Sequence, residues 1–148
     1  MKLPEYISKD EVQRICQELG IQDWTKLSEP SISLEEAKIV QAAVGNEALM
    51  IPTQEFKKGM EVELEHGIQF PDANVTNNHP LLTGMIVLAH LKEMLDYYMR
   101  LEVAELEGDL LKSYLANDPE KLKRKYKLYL QARSKLSEVE RAAIEDQQ

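Results

Sequence analysis

Residues 80–119 read PLLTGMIVLAHLKEMLDYYMRLEVAELEGDLLKSYLANDP, and this stretch decides the fold class. Its apolar side chains recur with the three- and four-residue spacing of one face of an α-helix. Pro80 suits the first turn of a helix, and Asn117-Asp118-Pro119 suits a tight turn followed by a new helix start. The stretch therefore predicts one long helix that ends at Ala116 and a return helix over residues 119–145.

Two short helices are predicted near the start of the chain. Residues 8–11 and 33–36 each have the Ser-x-x-Glu pattern of a capping box, in which two side chains satisfy free backbone N–H groups. Apolar residues at helical spacing follow each box, and a glycine closes each pattern. The pattern predicts helices over residues 9–19 and 34–44. It has two explanations, an internal duplication or two helices that obey the same capping rules.

A third helix is predicted over residues 54–66, with Thr53 as its N-cap and Gly67 as its end. No strand pattern occurs in the sequence. The predicted fold class is therefore all-α: a small helical domain with a long antiparallel helical hairpin and three shorter N-terminal helices. The length of 148 residues fits a single domain over residues 1–148.

The composition excludes several classes of protein. The chain is 43% hydrophobic and 30% charged, as a globular domain is, and no apolar run approaches the roughly 20 residues that cross a bilayer. The N-terminus lacks the apolar core of a signal peptide, and the single Cys16 excludes an internal disulfide framework. These features predict a cytoplasmic protein with no membrane association.

The net charge of −8 is unevenly distributed. Residues 1–117 carry 10 basic and 20 acidic side chains, whereas residues 118–148 carry 8 basic and 6 acidic ones. The acidic body argues against nucleic-acid binding, which needs a basic face. The basic C-terminal helix also has an apolar stripe. We therefore expect a protein partner or self-association through Lys121–Val139, although the same charges could rest on the acidic body of the chain itself.

The chemistry of the sequence lies in two mirrored pairs. Glu63-x-x-His66 and His90-x-x-Glu93 each place a carboxylate and an imidazole on one face of a predicted helix. If the two helices pack antiparallel, the four side chains converge. Two imidazoles and two carboxylates suit a divalent transition metal such as Zn, Fe or Mn. Tyr97, one turn beyond Glu93, would lie behind the ligands.

A structural interpretation of the same residues stays open. Glu93 falls within the predicted apolar stripe, so it needs a partner, which could be a metal, Tyr97 or an imidazolium. His66 lies in the last turn of its predicted helix, where a cation complements the helix dipole. The pairs could then be a structural polar cluster. The sequence contains no motif for a catalytic nucleophile or a phosphate loop, and it does not decide whether the protein is an enzyme.

Residues 34–105 resemble a family of short microbial and phage-encoded proteins of unknown function. The resemblance rests on specific strings of sequence: Phe56-x-x-Gly59-Met60-Glu61-Val62-Glu63-Leu64-Glu65-His66-Gly67, Asn74-Val75-Thr76-Asn77, Ala89-His90-Leu91-Lys92-Glu93 and Asp96-Tyr97-Tyr98. It implies no reaction. It favours the following residues as the set to test: Glu63, His66, His90, Glu93, Tyr97 and Glu105.

The chain departs from the family pattern in two places. Leu95 stands where a proline is expected, so a straighter long helix is predicted, and Asn78-His79 replaces a more acidic turn. The N-terminal helix and the basic C-terminal helix over residues 118–148 lie outside the resemblance. Two functions follow as expectations. The first is a helical module with a His/carboxylate metal site, and the second is a structural or adaptor subunit of a larger assembly, such as a phage virion.

Overall fold

The computed structural model describes residues 7–145, which contain six α-helices and no strand. The helices are α1 (Lys9–Leu19), α2 (Leu34–Val44), α3 (Thr53–Gln69), α4 (Pro80–Glu93), α5 (Tyr97–Leu115) and α6 (Pro119–Glu145). Short 3-10 helices at Trp24–Lys26 and Asn46–Met50 join α1 to α2 and α2 to α3. The all-α prediction is confirmed. Within the described part of the chain, no helix is long and apolar enough to cross a membrane.

The starts of α1 and α2 follow the predicted capping chemistry. The Ser8 hydroxyl accepts the Glu11 N–H at 3.2 Å, and Gly20 ends α1 in the left-handed conformation with φ 68°. Ser33 and Glu36 form a complete capping box at α2. Local capping therefore sets these two helices, and the predicted bounds of both are confirmed.

Two compact units divide the chain, Met1–Lys92 and Glu93–Gln148. In the first unit, all four helices contribute buried apolar side chains to the core, and Trp24 from the segment between α1 and α2 is fully buried. The largest buried side chains of this core are Val12, Cys16, Trp24, Val40, Phe56, Met60, Leu64 and Val87. That the two units fold as one domain stays a prediction.

The bounds of α3 differ from the prediction at both ends. Thr53 is the first helical residue and not the N-cap, because its hydroxyl donates to the buried Gln41 side chain at 2.8 Å. The helix also passes through Gly67 and ends at Gln69. Gly67 is not in a left-handed conformation. The role of Gly67 is therefore in packing rather than in helix termination.

The predicted uninterrupted helix from Pro80 to Ala116 is wrong. It breaks between Glu93 and Tyr97, although Leu95 replaces the expected proline. Asp96 begins α5: its carbonyl accepts the Arg100 N–H at 3.1 Å, and its carboxylate binds the Arg100 guanidinium at 2.7 and 3.0 Å. The Asp96 carboxylate makes no capping hydrogen bond to a backbone N–H, so the break without proline is explained only by the poor propensity of aspartate for a helix interior.

The second unit is an antiparallel hairpin of α5 and α6. Asn117 turns the chain in a left-handed conformation with φ 51°, and the Asp118 carboxylate accepts the Lys121 N–H at 2.9 Å at the start of α6. Between the helices, Lys125 binds Asp109 at 2.5 Å. The hairpin core consists of Val103, Leu106, Ala132 and Leu136, with Met99 and Tyr129 packed against it. The predicted hairpin and the bounds of its return helix are confirmed, with a shorter first arm.

Candidate ligand site between α3 and α4

Glu63 and His90 meet across α3 and α4. Glu63 Oε1 lies 3.2 Å from His90 Nδ1, and both side chains are partly buried, with 19% and 31% of their surface exposed. A partly buried contact between a carboxylate and an imidazole is screened less by water than the same contact on an open surface. This arrangement unites one residue from each of the two mirrored sequence pairs.

A cavity of about 240 Å³ opens beside Glu63. His66 and Gly67 continue its wall along α3, and Thr83 and Ile86 contribute from α4. The remaining wall comes from the loop between these helices, through Phe70, Ala73, Asn74, Val75 and Thr76. The cavity is therefore mostly apolar, with a carboxylate, an imidazole and two threonines at its surface, a combination typical of ligand-binding sites.

The loop wall is held by asparagine side chains. The Asn74 amide donates to the Gly67 carbonyl at 3.1 Å and to Asn78 Oδ1 at 2.8 Å, and the Thr76 hydroxyl donates to Asn74 Oδ1 at 3.2 Å. Asn78 itself has a left-handed backbone with φ 61°, which asparagine tolerates well. These bonds fix the loop against Gly67, where the missing side chain leaves room for it.

His79 is buried, with 7% of its surface exposed, and it caps α4. Its Nδ1 accepts the Leu82 N–H at 3.4 Å, at the third residue of a helix that begins with Pro80. Burial lowers the pKa of His79 and outweighs the nearby Glu11 carboxylate, which raises it. The sequence suggested a surface residue here, because a histidine beside an asparagine-rich turn gives no sign of burial.

The buried His79 predicts a loss of stability in mild acid. Its pKa is lower in the folded than in the unfolded chain, so the unfolded chain binds more protons as the pH falls below about 6.5. The free energy of unfolding should therefore decrease between about pH 7 and pH 5. Urea unfolding of wild type and His79→Asn checks this, because asparagine keeps the cap but does not titrate. Equal pH slopes in the two proteins would contradict the assignment.

Between residues 7 and 145, no group of three or more His, Cys, Asp or Glu side chains is placed to hold one metal ion. The site thus offers two potential ligands in contact, Glu63 and His90, and of these Glu63 shares the cavity wall with His66.

The profile of a family described as "Protein of unknown function (DUF5661)" matches residues 12–107. The chain belongs to this family. No curated protein and no solved structure matches the chain significantly. The DUF5661 match begins within α1, so the N-terminal helix belongs to the family region, contrary to the narrower resemblance over residues 34–105. The match ends at residue 107 within α5, so all of α6 lies beyond it.

The structure brings some of the predicted site residues together and places others apart. Glu63 and His90 are in contact, and His66 lines the cavity as an exposed side chain. Glu93, the last residue of α4, is exposed, so its predicted place in an apolar stripe is wrong. The buried face of α4 carries Thr83, Gly84, Val87 and Leu91, so the predicted stripe lay on a different face of this helix. Tyr97 and the exposed Glu105 belong to α5 in the second unit.

Proposed function

We propose that this DUF5661 protein is a small helical binding module whose first unit binds a divalent transition metal ion, with Glu63 and His90 as ligands. The observation that carries the proposal is the separation of 3.2 Å between Glu63 Oε1 and His90 Nδ1. Two ligand atoms bonded at about 2.0–2.2 Å to one zinc ion lie about 3.0–3.5 Å apart. The pair therefore already has the spacing that a shared ion requires.

His66 is not placed to share one ion with Glu63 and His90, so the remaining coordination positions fall to water or a small ligand. His66 follows Glu63 by three residues on α3, and both line the same cavity. Imidazole and carboxylate ligands without a thiolate suit Zn, Fe or Mn, and the cavity offers space for water or a small ligand at the open position. Participation of Glu93, Tyr97 and Glu105 in metal binding stays a prediction.

The test is calorimetric titration of untagged, metal-free protein with Zn²⁺ and Mn²⁺. We expect one equivalent to bind, and Glu63→Gln to weaken binding by at least about 100-fold because it removes the charged ligand. Glu65→Gln is the matched control: it removes the same charge from an exposed position on α3. Absence of binding by wild type, or equal loss in the two variants, would contradict the metal site.

A second candidate function is that of a structural or adaptor subunit that docks through α6. It is favoured by exposed apolar side chains on this helix, of which Tyr126 and Leu130 are 53% and 51% exposed. Exposed apolar patches of this kind mark interaction surfaces. A structural role in a phage virion is a more specific version of this proposal. It rests only on the resemblance of residues 34–105 to a family that includes phage-encoded proteins.

A further inference from the structure

The turn end of the α5–α6 hairpin carries an exposed apolar face. On α6, Leu122, Tyr126 and Leu130 recur every four residues and so share one side of the helix. On α5, Leu111 and Tyr114 are three residues apart, with 59% and 69% of their surface exposed. These five residues form what is termed here the hairpin face.

A cavity of about 300 Å³ connects the two rows of the hairpin face. Tyr114 from α5 and Leu122 from α6 both line it, beside Ser113 and the turn residues 117–119. The rows therefore lie side by side, and the space between them could accept an apolar side chain from a third helix. A helix that packs along two others and inserts an anchor residue between them is a common mode of recognition.

The carboxylates beside the hairpin face are engaged within the hairpin: Glu107 accepts the Tyr129 hydroxyl, Asp109 binds Lys125, and Asp118 caps α6. Residues 121–135 contain seven cations and no acid. Arg133 pairs with Glu140, but Lys123 and Lys127 are exposed and form no ion pair with any residue between 7 and 145. Lys123 precedes Tyr126 by three residues, and Lys127 follows it directly. A second copy docked through the same face would add its own Lys123 and Lys127 to the interface, whereas an acidic partner would supply carboxylates for them.

We propose that the hairpin face binds an acidic amphipathic helix of a different protein. Apolar side chains of the partner cover Tyr114, Tyr126 and Leu130, and its carboxylates pair with Lys123 and Lys127. This inference rests on the second candidate function, that of an adaptor, and it adds the site and the chemistry of the partner. It is independent of the metal site in the first unit.

The probe is a synthetic amphipathic helix with leucine at the a and d positions of each heptad and glutamate elsewhere. Binding of the labelled peptide to the full chain is measured by fluorescence anisotropy. We expect saturable binding that weakens at least tenfold in the double variant Lys123→Glu, Lys127→Glu. The matched control, Lys135→Glu with Arg141→Glu, changes the charge equally at positions at least two helical turns beyond Lys127, and should change Kd less than about twofold.

Two further experiments distinguish the acidic partner from the adaptor function in general. A peptide with lysine in place of glutamate should not bind, and Tyr126→Ser with Leu130→Ser should abolish binding of the glutamate peptide.

Other outcomes would identify a different occupant. If the lysine peptide binds as tightly as the glutamate peptide and its binding depends on Leu130, the adaptor function survives but the acidic partner is wrong. Dimerisation by light scattering that Leu130→Ser abolishes would identify a second copy as the occupant. Binding to phosphatidylserine vesicles without binding to the glutamate peptide would identify a lipid surface. Failure of all these probes would overturn both proposals.

Discussion

Replacing Trp24 with alanine should lower the free energy of unfolding of the first unit by about 3–5 kcal/mol. The indole is fully buried, although the 3-10 helix that carries it spans only Trp24–Lys26. The backbone N–H of Trp24 donates to Cys16 Sγ at 3.5 Å. The Asp23 carboxylate caps the short helix by accepting the backbone N–H of Thr25 at 3.0 Å. Packing of the Trp24 ring thus holds the segment between α1 and α2 against the core, and removal of the ring leaves a large cavity.

Trp24→Phe is the matched variant. Among the described residues, the indole Nε1 has no hydrogen-bond partner, so the wild-type protein carries an unpaired buried N–H that costs about 1–3 kcal/mol. Phenylalanine removes this cost while it keeps an aromatic ring, and the two effects should offset to within about 1.5 kcal/mol. Urea unfolding followed by circular dichroism measures both variants. A similar loss in both would contradict the cavity explanation.

Gly67→Ala should destabilise the first unit by about 2–4 kcal/mol, because overpacking is added to the loss of a hydrogen bond. A Cβ at position 67 would overlap Asn78 Oδ1 and lie 2.7 Å from Asn74 Nδ2. These two atoms form the hydrogen bond that fixes the loop wall of the cavity. The substitution should therefore also weaken any ligand that the cavity binds.

Gly108→Ala is the control for helix propensity. Gly108 lies inside α5, and a Cβ there would meet nothing within 4 Å. Alanine should stabilise this helix by about 0.5–1 kcal/mol, since glycine loses more backbone entropy on folding. Opposite signs for the two glycines, measured by urea unfolding, would assign the effect at Gly67 to packing. Stabilisation by Gly67→Ala would contradict the loop contact.

Local signals in the sequence were sufficient for much of the fold. The bounds of α1, α2 and α6 follow from residues that act on their own neighbours, such as Ser33 with Glu36 at α2 and Asp118 with Pro119 at α6. These interactions span only three or four residues, so a single sequence displays them completely.

Features set by distant contacts could not be predicted in this way. Gly67 was expected to end α3 because glycine often does, but its absent side chain serves the asparagine loop. Burial of His79 depends on the tertiary packing of the first unit, which its neighbours in the sequence do not indicate. Glu93 was wrongly placed in the core because the buried face of α4 carries Thr83, Gly84, Val87 and Leu91 instead.

The candidate site was partly predictable. The mirrored spacing of carboxylate and imidazole predicted that the two helices would bring Glu63 and His90 together, and the structure places these atoms 3.2 Å apart. The same pattern could not show that His66 and Glu93 would be exposed, because exposure depends on which face of each helix the tertiary fold buries.

The most direct test of the metal site is anomalous X-ray diffraction from crystals grown with Zn²⁺, measured on both sides of the zinc absorption edge. We predict one strong anomalous peak about 2.0–2.2 Å from both Glu63 Oε1 and His90 Nδ1, absent from crystals of Glu63→Gln. Zinc found only at other surface carboxylates, with the Glu63–His90 hydrogen bond intact, would contradict it.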